Sequence, residues 1–440
     1  MINFKTNALE HQTFAANKLE RLKVGALLMD MGVGKTRTIF EIYERKRARG
    51  KVDKLVYICP FAVKTAIEDE ITKHYVDKPD IIILGYETIS MSDNTYLHLL
   101  SSITSKTMIV LDESHYIKNI NAKRTERLLK CALNTPYRFI MTGTEITKHV
   151  DDLYSQFLFL DKRILGYNSF NAFARNHLEY SMYNPSLVTK SHNIEYLGSK
   201  IQPYVYQAKK EDCVSLPEQE YIKRNYYTSD EKEREYIRIK EYFLNQIEQS
   251  EDYSSVMIFQ MFTQLQKICD TDPRKIENIL AIFQEMSGLK IAYFKYISSL
   301  DMVKQGLING FEYSGRIPVQ QRKEVLRKWR KSENGILLLT YGTGSLSLNL
   351  QDASNVLFAN KTFDYAQRVQ AENRIHRIGQ ANNCTYVDLS THTGIERYID
   401  KSIDRKENLI ESFTNQVEKI KNDTSMDQRK ELRKLWEKRI

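Results

Sequence analysis

Two short stretches place chemistry-bearing residues at informative spacings. In the first, an apolar run from Ala26 to Met29 is followed by Asp30-Met31-Gly32-Val33-Gly34-Lys35-Thr36. Gly32 and Gly34, with Val33 between them, allow a tight turn whose N–H groups approach an anion, Lys35 supplies a point charge, and Thr36 offers a hydroxyl to Mg²⁺. Arg37 to Ile42 then reads as a helix, whose N-terminus favours phosphate. The full G-x-x-x-x-G-K-[ST] pattern is not met, because Met29 stands at its first glycine, and a glycine-rich turn with a chance Lys-Thr is the plain alternative. In the second stretch, Met108-Ile109-Val110-Leu111 ends in Asp112-Glu113-Ser114-His115. Phosphoryl transfer to water needs a holder for the metal and a group that orients or activates the attacking water. Asp112 fits the first role and Glu113 the second. Alone, the pair reads equally as a solvated acidic turn; behind a phosphate-binding turn in the same block, it reads as the other half of an ATP site with Mg²⁺.

The bulk numbers set the frame. A chain of 440 residues is long enough for two or more domains. Hydrophobic residues make up 42% and charged ones 28%, ordinary for a soluble globular protein. No run approaches the ~18 apolar residues of a membrane span, and the N-terminus lacks the pattern of a signal peptide. The five cysteines are far apart and form neither metal pairs nor a disulfide framework. A reducing, cytoplasmic setting is expected. The net charge of +9 is compatible with a polyanionic partner.

The elements that must position these residues alternate. Strands are predicted at 54–60, 81–85, 107–111 and 137–142, with helices at Val63–His74, Tyr96–Ser102 and Lys123–Ala132 between them. This is the pattern of a parallel sheet covered by helices. From about 150 to 285 helical spacing dominates, at 151–160, Phe170–Arg175, Glu231–Ile247 and Val256–Ile268, with few strand signals. Strand–helix alternation resumes at Lys290, with strands at 290–294, 310–314, 335–340, 355–358 and 384–389 and helices over Ile317–Trp329 and Phe363–Ile378. Near the N-terminus, Gln12 could read adenine, since one amide offers both a donor and an acceptor; a solvated helix-surface glutamine is the alternative.

Gly-x-Gly-Lys-Thr followed by Asp-Glu-Ser-His resembles the D-E-x-H branch of superfamily-two helicase-like ATPases, and Asp30 to Thr36 looks like the Swi/Snf family's form of motif I. The likeness continues in order. Pro60-Phe61-Ala62-Val63-Lys64-Thr65 is similar to motif Ia, Gly85-Tyr86-Glu87 to motif Ib, and Thr142-Gly143-Thr144 to motif III. Residues 342–350 resemble motif V, and Gln370-Ala371-Glu372-Asn373-Arg374-Ile375-His376-Arg377-Ile378-Gly379-Gln380 is very close to motif VI. There are departures: Glu145 stands where motif III continues with proline, Gly342 and Ser345 where motif V carries Arg and Gly, and Gln207-Ala208 where a basic pair is usual.

The resemblance implies two RecA-like parallel-sheet lobes of an α/β fold with helical insertions between them. Lobe one is expected over 1–160, a mainly helical linker over 161–274, lobe two over 275–400 and a helical extension over 401–440. It implies that Gly32, Val33, Gly34, Lys35, Thr36, Gln12 and Gln370 contact the nucleotide, and that Thr36 and Asp112 hold Mg²⁺. Arg374 and Arg377, three apart on the predicted helix and so on one face, are expected to stabilise charge on the γ-phosphate, Arg377 as the finger. Pro60, Phe61, Lys64, Tyr86, Thr142, Thr144, Thr340 and Thr343 are expected along nucleic acid, with His115 and Gly344 in coupling. The partner expected is duplex DNA, gripped by its backbone without base reading; a strand-separating helicase and a nucleotide-gated scaffold are the alternatives. A minimal stand-alone motor rich in Lys, Ile, Asn and Tyr points to an AT-rich microbial or viral genome.

Overall fold

The computed structural model describes residues 4–143, 150–180, 188–249, 255–344 and 348–405, and in the C-terminal stretch positions 409, 413, 416, 417, 420, 430 and 431. The chain divides into two compact units, Met1–Ser215 and Leu216–Ile440.

The first unit is built on a six-stranded sheet: β1 (Val24–Met29), β2 (Lys54–Cys59), β3 (Ile81–Gly85), β4 (Thr107–Asp112), β5 (Tyr137–Thr142) and, beyond a two-stranded antiparallel ribbon of β6 (Leu178–Tyr180) and β7 (Val188–Ser191), β8 (Val205–Ala208). The order is β3-β2-β4-β5-β1-β8, and every pairing is parallel. β1 and β4 are buried along their whole length, so they are written as unbroken apolar runs rather than alternating ones. Ala26, Leu28, Val56, Ile58, Ile109, Leu111 and Ile140 turn toward one core, closed by the helices Lys123–Ala132 and Leu153–Leu160. Leu27, Met29, Leu55, Tyr57, Val110 and Phe139 are buried as well.

The second unit repeats the plan with β9 (Gln219–Tyr226), β10 (Lys290–Phe294), β11 (Gly310–Tyr313), β12 (Ile336–Thr340), β13 (Asn355–Phe358) and β14 (Cys384–Thr391), in the order β11-β12-β10-β13-β14-β9. All these pairings are parallel too. Successive residues serve opposite faces: Ala292, Phe294, Leu338 and Leu357 enter one core, and Ile291, Tyr293, Leu337 and Phe358 the other. The α/β expectation with two parallel-sheet lobes therefore holds. The reading of few strands between 150 and 285 is corrected. β8 and β9, joined by residues 209–218, are edge strands, one in each sheet. β8 has only four residues, and β9 is mostly exposed and carries the charges of Glu220, Lys223 and Arg224, which blunts the edge of its sheet.

A cluster of charges, fully buried except for the partly exposed Asp400, holds the helices of the second unit together. The Lys275 ammonium meets Asp270 and, at 3.5 Å, Glu396. Lys361 in turn meets Glu396 at 3.6 Å, and also Asp400 and Ser390. Removing one partner leaves a buried carboxylate uncompensated. Lys275→Ala is therefore expected to cost about 3–5 kcal/mol, read as a lowered denaturant midpoint of the second unit. A loss below about 1 kcal/mol would show that water replaces the ammonium there.

Candidate active site

β1 ends at Met29, and the chain must reverse into the helix Lys35–Ala48. Two glycines make the reversal, Gly32 at φ 83° and Gly34 at φ 86°, in the left-handed region that side chains disfavour. A Cβ on Gly34 would also sit 2.2 Å from Nε2 of Gln12. The Val33 carbonyl between them accepts hydrogen bonds from His11 Nε2 at 2.8 Å and Gln12 Nε2 at 3.3 Å. Gln12 Oε1 accepts from the Leu9 N–H at 3.0 Å. Gln12 is only 4% exposed, and both ends of its amide are engaged inside the chain. Through these bonds Gln12 braces the turn.

The Lys35 ammonium donates to the carbonyls of Met29 at 2.8 Å and Asp30 at 3.2 Å. Gly143, past the end of β5, lies directly over it: a Cβ there would stand 3.2 Å from Lys35 Nζ and 3.2 Å from Met31 Cγ. The glycine of the third motif is thus a packing requirement of the first.

β4 delivers Asp112 to the same end of the sheet. Its carboxylate accepts from the Tyr57 hydroxyl at 2.8 Å and from the Glu113 N–H at 3.0 Å. Burial, and then the neighbouring Glu113 carboxylate, push its pKa up to about 6, while the Lys35 charge and the Tyr57 hydrogen bond pull the other way. Thr36 lies near enough to the Tyr57 phenol to lower its pKa against the effect of burial. One phenol therefore neighbours both oxygen donors that could hold a divalent cation. Among the described residues no group of three or more His, Cys, Asp or Glu is placed to hold a metal. Mg²⁺ is satisfied by one or two protein oxygens, with phosphate and water completing its shell, so Thr36 and Asp112 suit it.

Glu113 has φ 51° and ψ 55°, a left-handed conformation that costs a non-glycine residue of order 1 kcal/mol and is kept where the surroundings enforce it. His115 Nδ1 lies 3.4 Å from its carboxylate. Ser114 is buried and donates to Gln156 on the helix Leu153–Leu160, and the Gln156 amide donates to the Asp152 carbonyl at 2.8 Å. Tyr57 and Gln156 were not singled out from sequence. The one signal for Gln156 is a polar pair, Ser155-Gln156, inside an otherwise apolar helix.

The expected nucleic-acid contacts separate by burial. Tyr86 is fully buried, donates to the Asp112 carbonyl at 2.9 Å and stacks on Tyr116 with ring centroids 5.1 Å apart; it supports the acidic turn and has no surface to offer. Thr142 is buried opposite Leu28, and Pro60 is buried at the end of β2. Thr343 is buried, with its hydroxyl donating to the Tyr313 carbonyl at 2.9 Å. Phe61 is 54% exposed with Lys64 over its ring at 5.8 Å, and Thr340 is half-buried. Thr144 lies outside the described residues. Gly344 ends a short helical turn, Tyr341–Gly344.

In the second unit, the helix expected to reach Ile378 stops at Glu372, so Gln370 is helical while Arg374 and Arg377 stand in the turns that follow. Tertiary bonds stop it. The Arg374 carbonyl accepts from the Leu350 N–H at 3.1 Å, and the His376 ring donates to the Pro217 carbonyl at 2.8 Å. The Arg377 guanidinium is bound by Asn349, and Gly379 turns the chain at φ 98°. Arg368, which sequence reading passed over, is buried between Asp388 and Glu372 and lies over the Phe358 ring.

A carboxyl group whose pKa rises on folding weakens the fold once it ionises. The penalty is absent below the unfolded value near 4 and complete above the folded value of about 6. Asp112→Asn should therefore raise stability by roughly 1–3 kcal/mol at pH 8, with the gain vanishing toward pH 4. An equal effect at both pH values would remove the link to ionisation.

Comparison with known proteins adds family information. Residues 72–274 match the SNF2-related domain and residues 242–379 the helicase conserved C-terminal domain. The glycine turn precedes both spans and rests on its own residues. YwqA of Bacillus subtilis is 25% identical over 92% of this chain and 49% of its own length. The TATA-binding protein-associated factor MOT1 of Saccharomyces cerevisiae is 24% identical over 89% of this chain and 26% of its own. A solved SWI2/SNF2 ATPase core of Sulfolobus solfataricus in complex with double-stranded DNA aligns over 93% of each chain, at 21% identity and a TM-score of 0.43. The chain spans half or less of the length of the curated relatives it matches, and among the described residues no helix is long and apolar enough to cross a membrane. The two domain matches, in the order that the motifs require, show that this chain belongs to the Swi/Snf-type family of superfamily-two helicase-like ATPases.

Proposed function

We propose that this chain is an ATP-driven motor that moves along duplex DNA without reading its sequence. The observation that carries the reading is the meeting of Lys35, Thr36 and Asp112 at the carboxyl ends of β1 and β4, with the Tyr57 phenol between hydroxyl and carboxylate. The turn of Gly32 to Gly34 directs N–H groups to the phosphates, and Lys35 exchanges its carbonyl partners for a phosphate oxygen. Mg²⁺, held by Thr36 and Asp112, would neutralise charge on the β- and γ-phosphates. Glu113 orients the attacking water and takes its proton, with His115 3.4 Å from its carboxylate. Arg377, and beside it Arg374, supplies positive charge to the γ-phosphate.

Family membership and a net charge of +9 support a polyanionic track. Phe61, Lys64 and Thr340 keep side-chain surface for a phosphate backbone, and contacts of that kind position without specifying sequence. Steady-state ATPase activity with no nucleic acid, single-stranded DNA, duplex DNA and duplex RNA tests the reading. Stimulation by duplex DNA above the other three is expected, falling steeply with salt. Stimulation confined to single strands would replace the translocase with a strand-separating helicase.

Two substitutions test the roles. Lys35→Ala should abolish turnover with the fold intact. Arg377→Ala should lower kcat by roughly 10³-fold or more while ATP binding persists. Unchanged turnover in the second variant would move the finger role to Arg374.

A further inference from the structure

We propose that Asp30 is a positioning residue that links the nucleotide site to the segment leading out of the first unit. The inference rests on Lys35 being a phosphate ligand.

Asp30 follows β1 and is tied in three directions. Its N–H donates to the Ala208 carbonyl at 3.0 Å, extending the β1–β8 register by one step past Met29↔Ala208. Its carboxylate accepts from the Lys210 N–H at 2.9 Å. Its carbonyl accepts from Lys35 at 3.2 Å, beside the Met29 carbonyl at 2.8 Å. Lys210 opens a helix of four residues, Lys210–Cys213. Ser215 ends the first unit and Leu216 begins the second.

The Lys35 ammonium has three N–H donors, and of its two carbonyl bonds the one to Asp30, at 3.2 Å, is the longer. An anion in the turn forms the stronger, charge-assisted bond and draws the ammonium toward itself, away from the Asp30 carbonyl. The side chain of the same residue carries the carboxylate that holds Lys210. A four-residue helix has no cooperative reserve, so loss of that one bond is enough to release it. Binding at Lys35 thereby reaches the exit of the unit through a single residue.

Cys213, the last residue of this helix, is a built-in reporter. It is half-buried, whereas Cys59, Cys131, Cys269 and Cys384 are buried. Its thiol is held above the usual range by burial first, and then by the Asp212 and Asp30 carboxylates.

The test follows the rate at which a disulfide reagent, 5,5′-dithiobis(2-nitrobenzoate), modifies Cys213 in the full chain. The rate is taken without nucleotide and with saturating ADP or β,γ-imido-ATP, while nucleotide binding is titrated separately on the same samples. The wild type should change rate by roughly 3-fold or more when nucleotide binds. Lys210→Pro removes the N–H that Asp30 accepts. Proline suits a first helical position after an extended residue, and Lys209 is extended at φ −84° and ψ 148°. This variant should bind nucleotide within about 2-fold of wild type, yet change its Cys213 rate by less than about 1.5-fold. Asp30→Asn, which keeps an acceptor, should retain most of the response, and Asp30→Ala should lose it. A wild-type rate that stays constant with nucleotide bound overturns the proposal, as does a Lys210→Pro response equal to wild type. Failure of the wild type to bind nucleotide, seen in the titration itself, overturns the nucleotide-site reading and this inference with it.

Discussion

Parallel pairing of β1 with β5 and of β4 with β5 is the constraint on which the first unit's chemistry depends. Parallel strands end on the same side of the sheet, so the turns that leave them are gathered without any contact having to be designed between them. The glycine turn leaves β1, the acidic turn leaves β4 and Gly143 leaves β5. Register decides how closely they meet. Leu28 stands opposite Thr142 and Asp112 opposite Met141, which sets Gly143 over Lys35 and Asp112 within reach of its charge. A slip of one residue in either pairing would exchange the faces of every side chain on that strand and separate the ammonium from the carboxylate.

The gathering has a local cost. Asp112 is ionised only against burial and the neighbouring Glu113, and Glu113 sits in a backbone conformation that side chains disfavour. Neither is stable alone. The offset is a shell of neutral donors: the Tyr57 phenol on the Asp112 carboxylate, the Tyr86 phenol on its carbonyl, and the tie from Ser114 to Gln156. These groups fix Asp112 and the turn that follows it by bonds within the chain, which is what electrostatic preorganisation requires.

The central strands and the two decisive stretches were legible in the sequence because both are local. Buried parallel strands are written as continuous apolar runs, and the glycine and acidic turns carry their chemistry within a few residues. What failed to show depends on distant partners. The run Phe363–Ile378 keeps apolar residues at helical spacing through Ala371 and Ile375, and both are indeed buried, but bonds from Leu350 and to Pro217 end the helix at Glu372. Tyr86 and Thr343 read as polar residues in suggestive motifs, while their burial depends on the Asp112 and Tyr313 carbonyls, far away in sequence. β9 was hidden because an exposed edge strand carries charge where a buried one carries aliphatics.

The early end of that helix changes how the second unit can act. A continuous helix would present Arg374 and Arg377 as side chains on a rigid rod, independent of what surrounds it. In the turns that replace it, the Arg374 carbonyl is bonded to the N–H of Leu350, Arg377 is bound to Asn349, and the Gln380 amide donates to the carbonyls of Gln351 and Ala353. Residues 348–353, the end of the fifth motif and the three residues after it, and residues 374–380 of the sixth are therefore one hydrogen-bonded piece. Thr340 and Thr343 stand at the head of the fifth motif with their hydroxyls 2.8 Å apart. A displacement of residues 348–353 cannot leave Arg374 and Arg377 where they were, because the bonds that would have to stretch are the ones that position them. In this unit the two segments move together through the turns that took the place of the helix, with no long-range rearrangement of the sheet.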